Sequence, residues 1–152
     1  MKLYGYFRSS AAYRVRIALN LKGIAVEQES KHLRKGEHLK DDFAALNPQK
    51  LLPALKLDSG DILTQSLAIL EYLEETHPNP PLLPKDLVGR ARVRSLALIP
   101  ACEIHPVQNL RVMNYIRQHY GQDEAGAFAW SRHWIEVGFE AYENSIANDP
   151  AT

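Results

Sequence analysis

Cysteine is almost missing from this chain, with Cys102 the only one in 152 residues. No internal disulfide and no thiolate-rich metal site can form, and such usage points to a reducing cytosol. The six histidines show no metal-site spacing, so no metal is expected. Net charge is lacking too, because 18 Lys and Arg balance 18 Asp and Glu. That argues against nucleic acid as the main partner while leaving local basic pockets open. No apolar run approaches the roughly 20 residues that cross a bilayer, and Met1-Lys2 leads directly into a strand pattern without a signal-peptide core. Repeats and low-complexity tracts are absent. The expectation is a soluble, cytoplasmic protein that acts on a small molecule, away from membranes.

What the chain does have is a corner. Leu3-Tyr4-Gly5-Tyr6-Phe7 is short, apolar and aromatic, as a buried strand would be. From Ala11 the pattern turns helical, with Val15, Ala18, Leu19 and Lys22 on one face and Gly23 as a stop. Ser9 and Ser10 therefore stand where a strand becomes a helix. Free N–H groups and the positive end of the helix dipole favour an anion there. Their hydroxyls can donate to a thiolate or a carboxylate, or one of them simply caps the helix.

Downstream, residues 25–30 read as a second strand, joined to the first by a right-handed parallel crossover. Residues 31–40 read as a loop and 41–46 as a short helix closed by Asn47-Pro48. A proline cannot donate within a central strand, so Pro53 belongs at the opening of the third one. Asp58-Ser59-Gly60-Asp61 is a hairpin turn into a fourth, antiparallel strand. Thr64-Gln65-Ser66 then starts an amphipathic helix, with Leu70 and Leu73 inward and Glu71, Glu74 and Glu75 in solvent. The order is βαβ followed by ββα, an α/β arrangement of thioredoxin-like type.

Three segments, in this order, carry a resemblance: Ser9-Ser10-x-x-Tyr13-Arg14-Val15-Arg16, Asn47-Pro48-Gln49 with Leu52-Pro53-Ala54-Leu55, and Gln65-Ser66-Leu67-Ala68-Ile69-Leu70. Together with Ile104-His105-Pro106-x-x-Asn109-Leu110-Arg111 they make the chain similar to the zeta-class glutathione transferases. That class includes the glutathione-dependent maleylacetoacetate and maleylpyruvate isomerases of aromatic catabolism. The resemblance implies glutathione as cofactor and a homodimer. It implies that Ser9, with Ser10 beside it, meets the glutathione sulfur, and that a cis Pro53 lets the Leu52 backbone pair with the cysteinyl part. Gln65 and Ser66 would hold the γ-glutamyl end, and His38 aligns with a glutathione-contacting glutamine. Arg8, His105, Asn109 and Arg111 would line the substrate site. Two departures stand out. Ala11 occupies a position where the class often has cysteine, which removes a site for covalent adducts rather than the activity. Arg111 replaces a serine of some relatives and fits the maleylpyruvate branch better.

Domain organisation follows from the prolines. Residues 1–78 form the thioredoxin-like domain, 79–85 a proline-rich linker, and 86–152 a partial helical domain. Asp86 opens a helix with Val88, Ala91, Ser95 and Leu98 at helical spacing, interrupted near Pro100 and Pro106. Arg90, Arg92 and Arg94 form a solvated or dimer-facing surface. A last helix over 124–146 buries Ala127, Trp130, Trp134, Val137 and Ala141. Relatives continue beyond Thr152, so about half of the helical domain is expected here: either the sequence is truncated, or a dimer or a rearrangement buries the apolar surface, with impaired stability and weak activity as the expectation. Two other functions fit the same motifs: a general transferase for electrophiles or α-halo acids, and a non-catalytic partner-binding module.

Overall fold

The computed structural model describes residues 1–147, and the expected tail Asn148–Thr152 lies outside the described residues. The chain divides into two compact units, Met1–Leu83 and Pro84–Thr152.

In the first unit, β1 (Lys2–Gly5) leads to α1 (Ser10–Leu21) and then to β2 (Glu27–Ser30). Two short 3-10 turns, Leu33–Lys35 and Glu37–Leu39, occupy what reads in sequence as a loop. Such turns hold only i to i+3 bonds and leave no apolar period to detect. After α2 (Asp41–Leu46) come β3 (Ala54–Lys56), β4 (Ile62–Thr64) and α3 (Ser66–Thr76). The sheet order is β2-β1-β3-β4, with β1 parallel to β2 and antiparallel to β3, and β3 antiparallel to β4. This is a thioredoxin-like sheet.

Strand alternation sorts the core into two layers. Leu3 and Leu55, paired in register, face α1 and α3 and pack with Val15, Ala18, Leu19, Ile69 and Leu73. Tyr4 and Ala54, one step along, face the other way and pack with Tyr6, Leu52 and Phe43 of α2. Helix α1 ends in a Schellman turn: the Gly23 N–H bonds Asn20 O at 3.1 Å and the Ile24 N–H bonds Leu19 O at 2.9 Å. Gly23 has φ +65°, a left-handed angle that explains the glycine.

One expected solvent residue is buried. Glu74 is only 9% exposed and pairs with Lys22, the residue that caps α1. Lys22 Nζ donates to Glu74 Oε2 at 2.7 Å, His77 O at 2.6 Å and Pro80 O at 3.0 Å. The Glu74 carboxylate also accepts from the N–H groups of Leu82 and Leu83. Burial alone would raise the Glu74 carboxyl, but these donors hold it below its ordinary value. Its place on the helix pattern says solvent; a lysine 52 positions away says otherwise.

The second unit is all-α. Asp86 caps α4 (Leu87–Leu98) by accepting from the Gly89 N–H at 2.6 Å. Pro100 does not interrupt the helix. It lies in a π-helical segment, Ile99–Ile104, whose wider turn takes up the missing N–H, and α5 (His105–Gln108) continues past Pro106. The break comes at Asn109, extended in backbone, before α6 (Leu110–His119). The final helix is α7 (Glu124–Ile146). Of its expected inward residues only Ala127 is buried: Trp130 is 41% and Val137 47% exposed, Ala141 is exposed and Trp134 half-buried. Helix α7 packs on the π segment, α5 and α6, so only one stripe of it is covered. The approach is closest at Gly138, where a Cβ would collide with the Ile104 side chain. No described helix is long and apolar enough to cross a membrane.

Candidate active site

The strand directions bring several loops to one end of the sheet. β1, β2 and β4 run the same way, so their C-terminal ends lie beside the start of β3. The corner carrying Arg8, Ser9 and Ser10 follows β1, and the turns carrying His38 follow β2. Leu52 and Pro53 lead into β3, while Gln65 and Ser66 follow β4. All the site residues expected in the first unit therefore share this end.

Ser9 does cap α1: its backbone is extended and its Oγ accepts from the Ala12 N–H at 3.2 Å. The side chain is buried, 8% exposed. A hydroxyl that accepts in this way still has its proton, and Ser9 donates it to no described residue. Capping and anion binding are thus compatible in the same side chain. Ser10, the first residue of α1, is exposed, as is Arg8, whose side chain makes no hydrogen bond or ion pair with the described residues. Arg16 braces the corner by donating to Phe7 O at 3.3 Å.

The Leu52–Pro53 peptide is cis, and no hydrogen bond to a described residue involves the Leu52 backbone. Before it, buried Asn47 organises a tight turn, accepting from the Gln49 N–H at 3.1 Å and donating to Leu51 O at 2.8 Å. Gln49 in turn accepts from Gln65 Nε2 at 2.8 Å. Gln65 has φ +67° and ψ 115°, a backbone state that costs about 1–3 kcal/mol in a non-glycine residue. Helix α3 opens there without a side-chain cap, whereas α1, α4, α6 and α7 each have one. Ser66 Oγ accepts from Arg14 Nε at 3.2 Å and Arg14 Nη2 at 3.1 Å. His38 has a buried Nδ1 with no partner among the described residues, and burial pushes its imidazole below the ordinary value.

In the second unit His105 is half-buried at the start of α5. The Asn109 Oδ1 caps α6 by accepting from the Val112 N–H at 3.1 Å, and its Nδ2 donates to Pro106 O at 3.2 Å. Arg111 is exposed and makes no hydrogen bond or ion pair with the described residues. An open groove of about 230 Å³ runs along β1 and β2 beside Phe7, Arg16 and Gln28, and none of the expected site residues lines it. Among the described residues no cluster of three His, Cys, Asp or Glu side chains could hold a metal. Sequence reasoning assigned no role to Arg14 or Arg16. Both stand in the double-serine motif, yet their partners appear only once α1 packs on α3 and the corner folds back.

Comparison with known proteins gives this geometry a context. Residues 3–81 match the model for the glutathione S-transferase N-terminal domain. The chain is 55% identical to a maleylpyruvate isomerase of Ralstonia over 99% of its own length and 70% of that protein's. It is 47% identical to the maleylacetoacetate isomerase of Pseudomonas aeruginosa, covering 97% of this chain and 70% of that one. Among solved structures, the maleylacetoacetate isomerase of Methylobacterium extorquens AM1 with bound malonate and glutathione superposes with a TM-score of 0.97 at 46% identity, over all of this chain and 71% of that one. With the sheet, the cis proline and the two serine-bearing helix starts in place, the chain belongs to the glutathione S-transferase family, in the zeta class with the maleylpyruvate and maleylacetoacetate isomerases.

Proposed function

We propose that this chain is a glutathione-dependent isomerase that turns a maleyl-type cis enedione acid, maleylpyruvate or maleylacetoacetate, into its trans, fumaryl isomer. One observation carries the reading. The Ser9 oxygen is committed to the Ala12 N–H, so a buried hydroxyl proton remains at the positive end of α1 for an anionic sulfur. When bound, glutathione supplies a thiolate that adds to the cis double bond, permits rotation and leaves again. Ser9 and Ser10 would hold the sulfur end. The unpaired Leu52 backbone, set by Pro53, would align the cysteinyl part, and Gln65 and Ser66 would take the γ-glutamyl end. His38, neutral at physiological pH, offers its unpartnered Nδ1 to the same ligand. Arg8, beside the double serine, is the first unit's candidate for a substrate carboxylate; His105 and Arg111 are the second unit's candidates, and Asn109 caps the helix that carries Arg111.

Magnitudes rank these roles. A hydrogen bond to a charged group contributes about 1.5–3 kcal/mol. Holding two reactants in place contributes about 7–11 kcal/mol of barrier reduction. The rigidity of the corner therefore outweighs the hydroxyl's direct effect on the sulfur. A homodimer is part of the proposal, supported by exposed Leu87 and Val88 on α4, and so is the cytoplasm, where a lone free Cys102 stays reduced.

The test follows isomerisation by absorbance with glutathione well below the substrate concentration. Many turnovers per glutathione are expected. Ser9→Ala should slow them about 10- to 150-fold, from the lost donor, and cost about 1 kcal/mol of stability from the lost cap. Ser9→Asp keeps the cap and the stability but not the rate, which separates the two roles. Stoichiometric use of glutathione would make the chain a general transferase, and binding without either reaction a partner-binding module.

A further inference from the structure

Residues 77–86, which lead from α3 to α4, lie in neither helix nor strand. Pro78, Pro80 and Pro81 carry no N–H, and among the described residues no backbone–backbone hydrogen bond holds any of residues 78–83. Other connections of the first unit close on their own backbone, as Ile24 N–H does on Leu19 O and Leu57 N–H on Asp61 O. The stretch after α3 is held by two side chains instead. Lys22 donates to His77 O and Pro80 O, and Glu74 accepts from the Leu82 and Leu83 N–H groups at 3.0 and 3.2 Å. The two side chains are themselves joined at 2.7 Å, and that of Lys22 is fully buried. Leu82 rests against the core formed by α1 and α3, while residues 78–81 are exposed.

We propose that Lys22 and Glu74 form the latch of a strap, residues 78–83, that opens as one element while the sheet, α1 and α3 stay folded. All the bonds on the strap pass through one ion pair, and losing either partner leaves the other charge buried without compensation. The bonds are therefore made and lost together. Apart from them, opening removes only the contact of Leu82 with the core, far less than global unfolding exposes. The strap ends at Leu83, the last residue of the first unit, so the latch holds the junction at which the second unit begins. Glutathione plays no part in this.

The test is native-state amide exchange, which reads each N–H separately. In the parent chain Leu82 and Leu83 should share one opening constant, exchange faster than the amides of β1 and β3, and respond less to denaturant. Equal protection and an equal denaturant response at all four places overturn the proposal. The double variant Lys22→Met with Glu74→Leu replaces the buried pair by apolar side chains, a change that commonly leaves overall stability intact. It should keep β1 and β3 exchange within about tenfold of the parent and speed Leu82 and Leu83 at least about 100-fold, from the lost charged acceptor. Parental protection at Leu82 and Leu83 in that variant overturns the latch. Should the double variant fail to fold, Lys22→Met alone decides, because it removes the partner of neither N–H. Faster exchange at both amides supports a latch that acts as a unit, and unchanged exchange rejects it.

Discussion

Helices α1 and α3 pack side by side and run the same way, yet their two ends are finished differently. At the C-terminal ends, Lys22 uses three donors on Glu74, His77 O and Pro80 O, and Glu74 accepts from Lys22, Leu82 and Leu83. That network is closed inside the protein. At the N-terminal ends, the Ser9 hydroxyl accepts from the Ala12 N–H and the Ser66 hydroxyl from Arg14, and neither donates to a described residue. The nearby Gln65 backbone is strained, and α3 has no side-chain cap. One end of the helix pair satisfies itself, and the other is built to be satisfied by something else. Buried polar groups are costly when unpaired, so the unfilled end marks function and the filled end marks structure.

Breaking the closed end should give the largest effect. Glu74→Gln leaves the Lys22 ammonium, with a fully buried side chain, without its counter-charge and should cost about 3–5 kcal/mol. The pH dependence has a definite sign. The folded Glu74 carboxyl titrates below its ordinary value of 4.5, so its stabilisation is complete above that value and is lost as pH falls through the folded one. Denaturant midpoints across the acid range should show that loss in the parent chain and a flatter profile in Glu74→Gln. An unchanged midpoint would mean that the two ends do not differ as described.

The open end should respond with opposite signs in stability and binding. Gln65→Gly relieves the φ +67° backbone and should stabilise the fold by about 1 kcal/mol. It also removes the Gln65–Gln49 contact and should weaken glutathione several-fold. Lys50 has a similar φ of +54° in the preceding turn. Lys50→Gly should give a smaller gain, about 0.5–1 kcal/mol, with glutathione affinity unchanged. Thermal melts and titrations on the two variants check both signs. Matching behaviour would show that the strain at Gln65 has nothing to do with the ligand.

This contrast also separates what the chain announces from what it conceals. The βαβ and ββα order, the 41–46 helix, the Asp58–Asp61 turn and the limits of α7 are legible because each rests on local periodicity or turn chemistry. Glu74 is not, since its burial depends on Lys22 and on backbone donors beyond the end of α3. The faces of α7 are misread for a related reason: Trp130 and Val137 have the right spacing for a core, but spacing does not say how much of a helix its neighbours cover. At the site, Ser9, Pro53, Gln65 and Ser66 stand out as motif residues. Arg14 stands in the same motif, and only the packing of α1 against α3 reveals its bond to Ser66. Asn109 reads as a pocket residue, whereas the turn between α5 and α6 uses both ends of its amide.

The most direct test is an ultraviolet pH titration of glutathione bound to the protein, following thiolate absorbance, in the parent chain and in Ser9→Ala. The account predicts that the bound thiol ionises below the free value of roughly 8.5 in the parent chain and moves back toward it without the Ser9 hydroxyl. A bound thiol that titrates like the free one, or equally in both proteins, would contradict it.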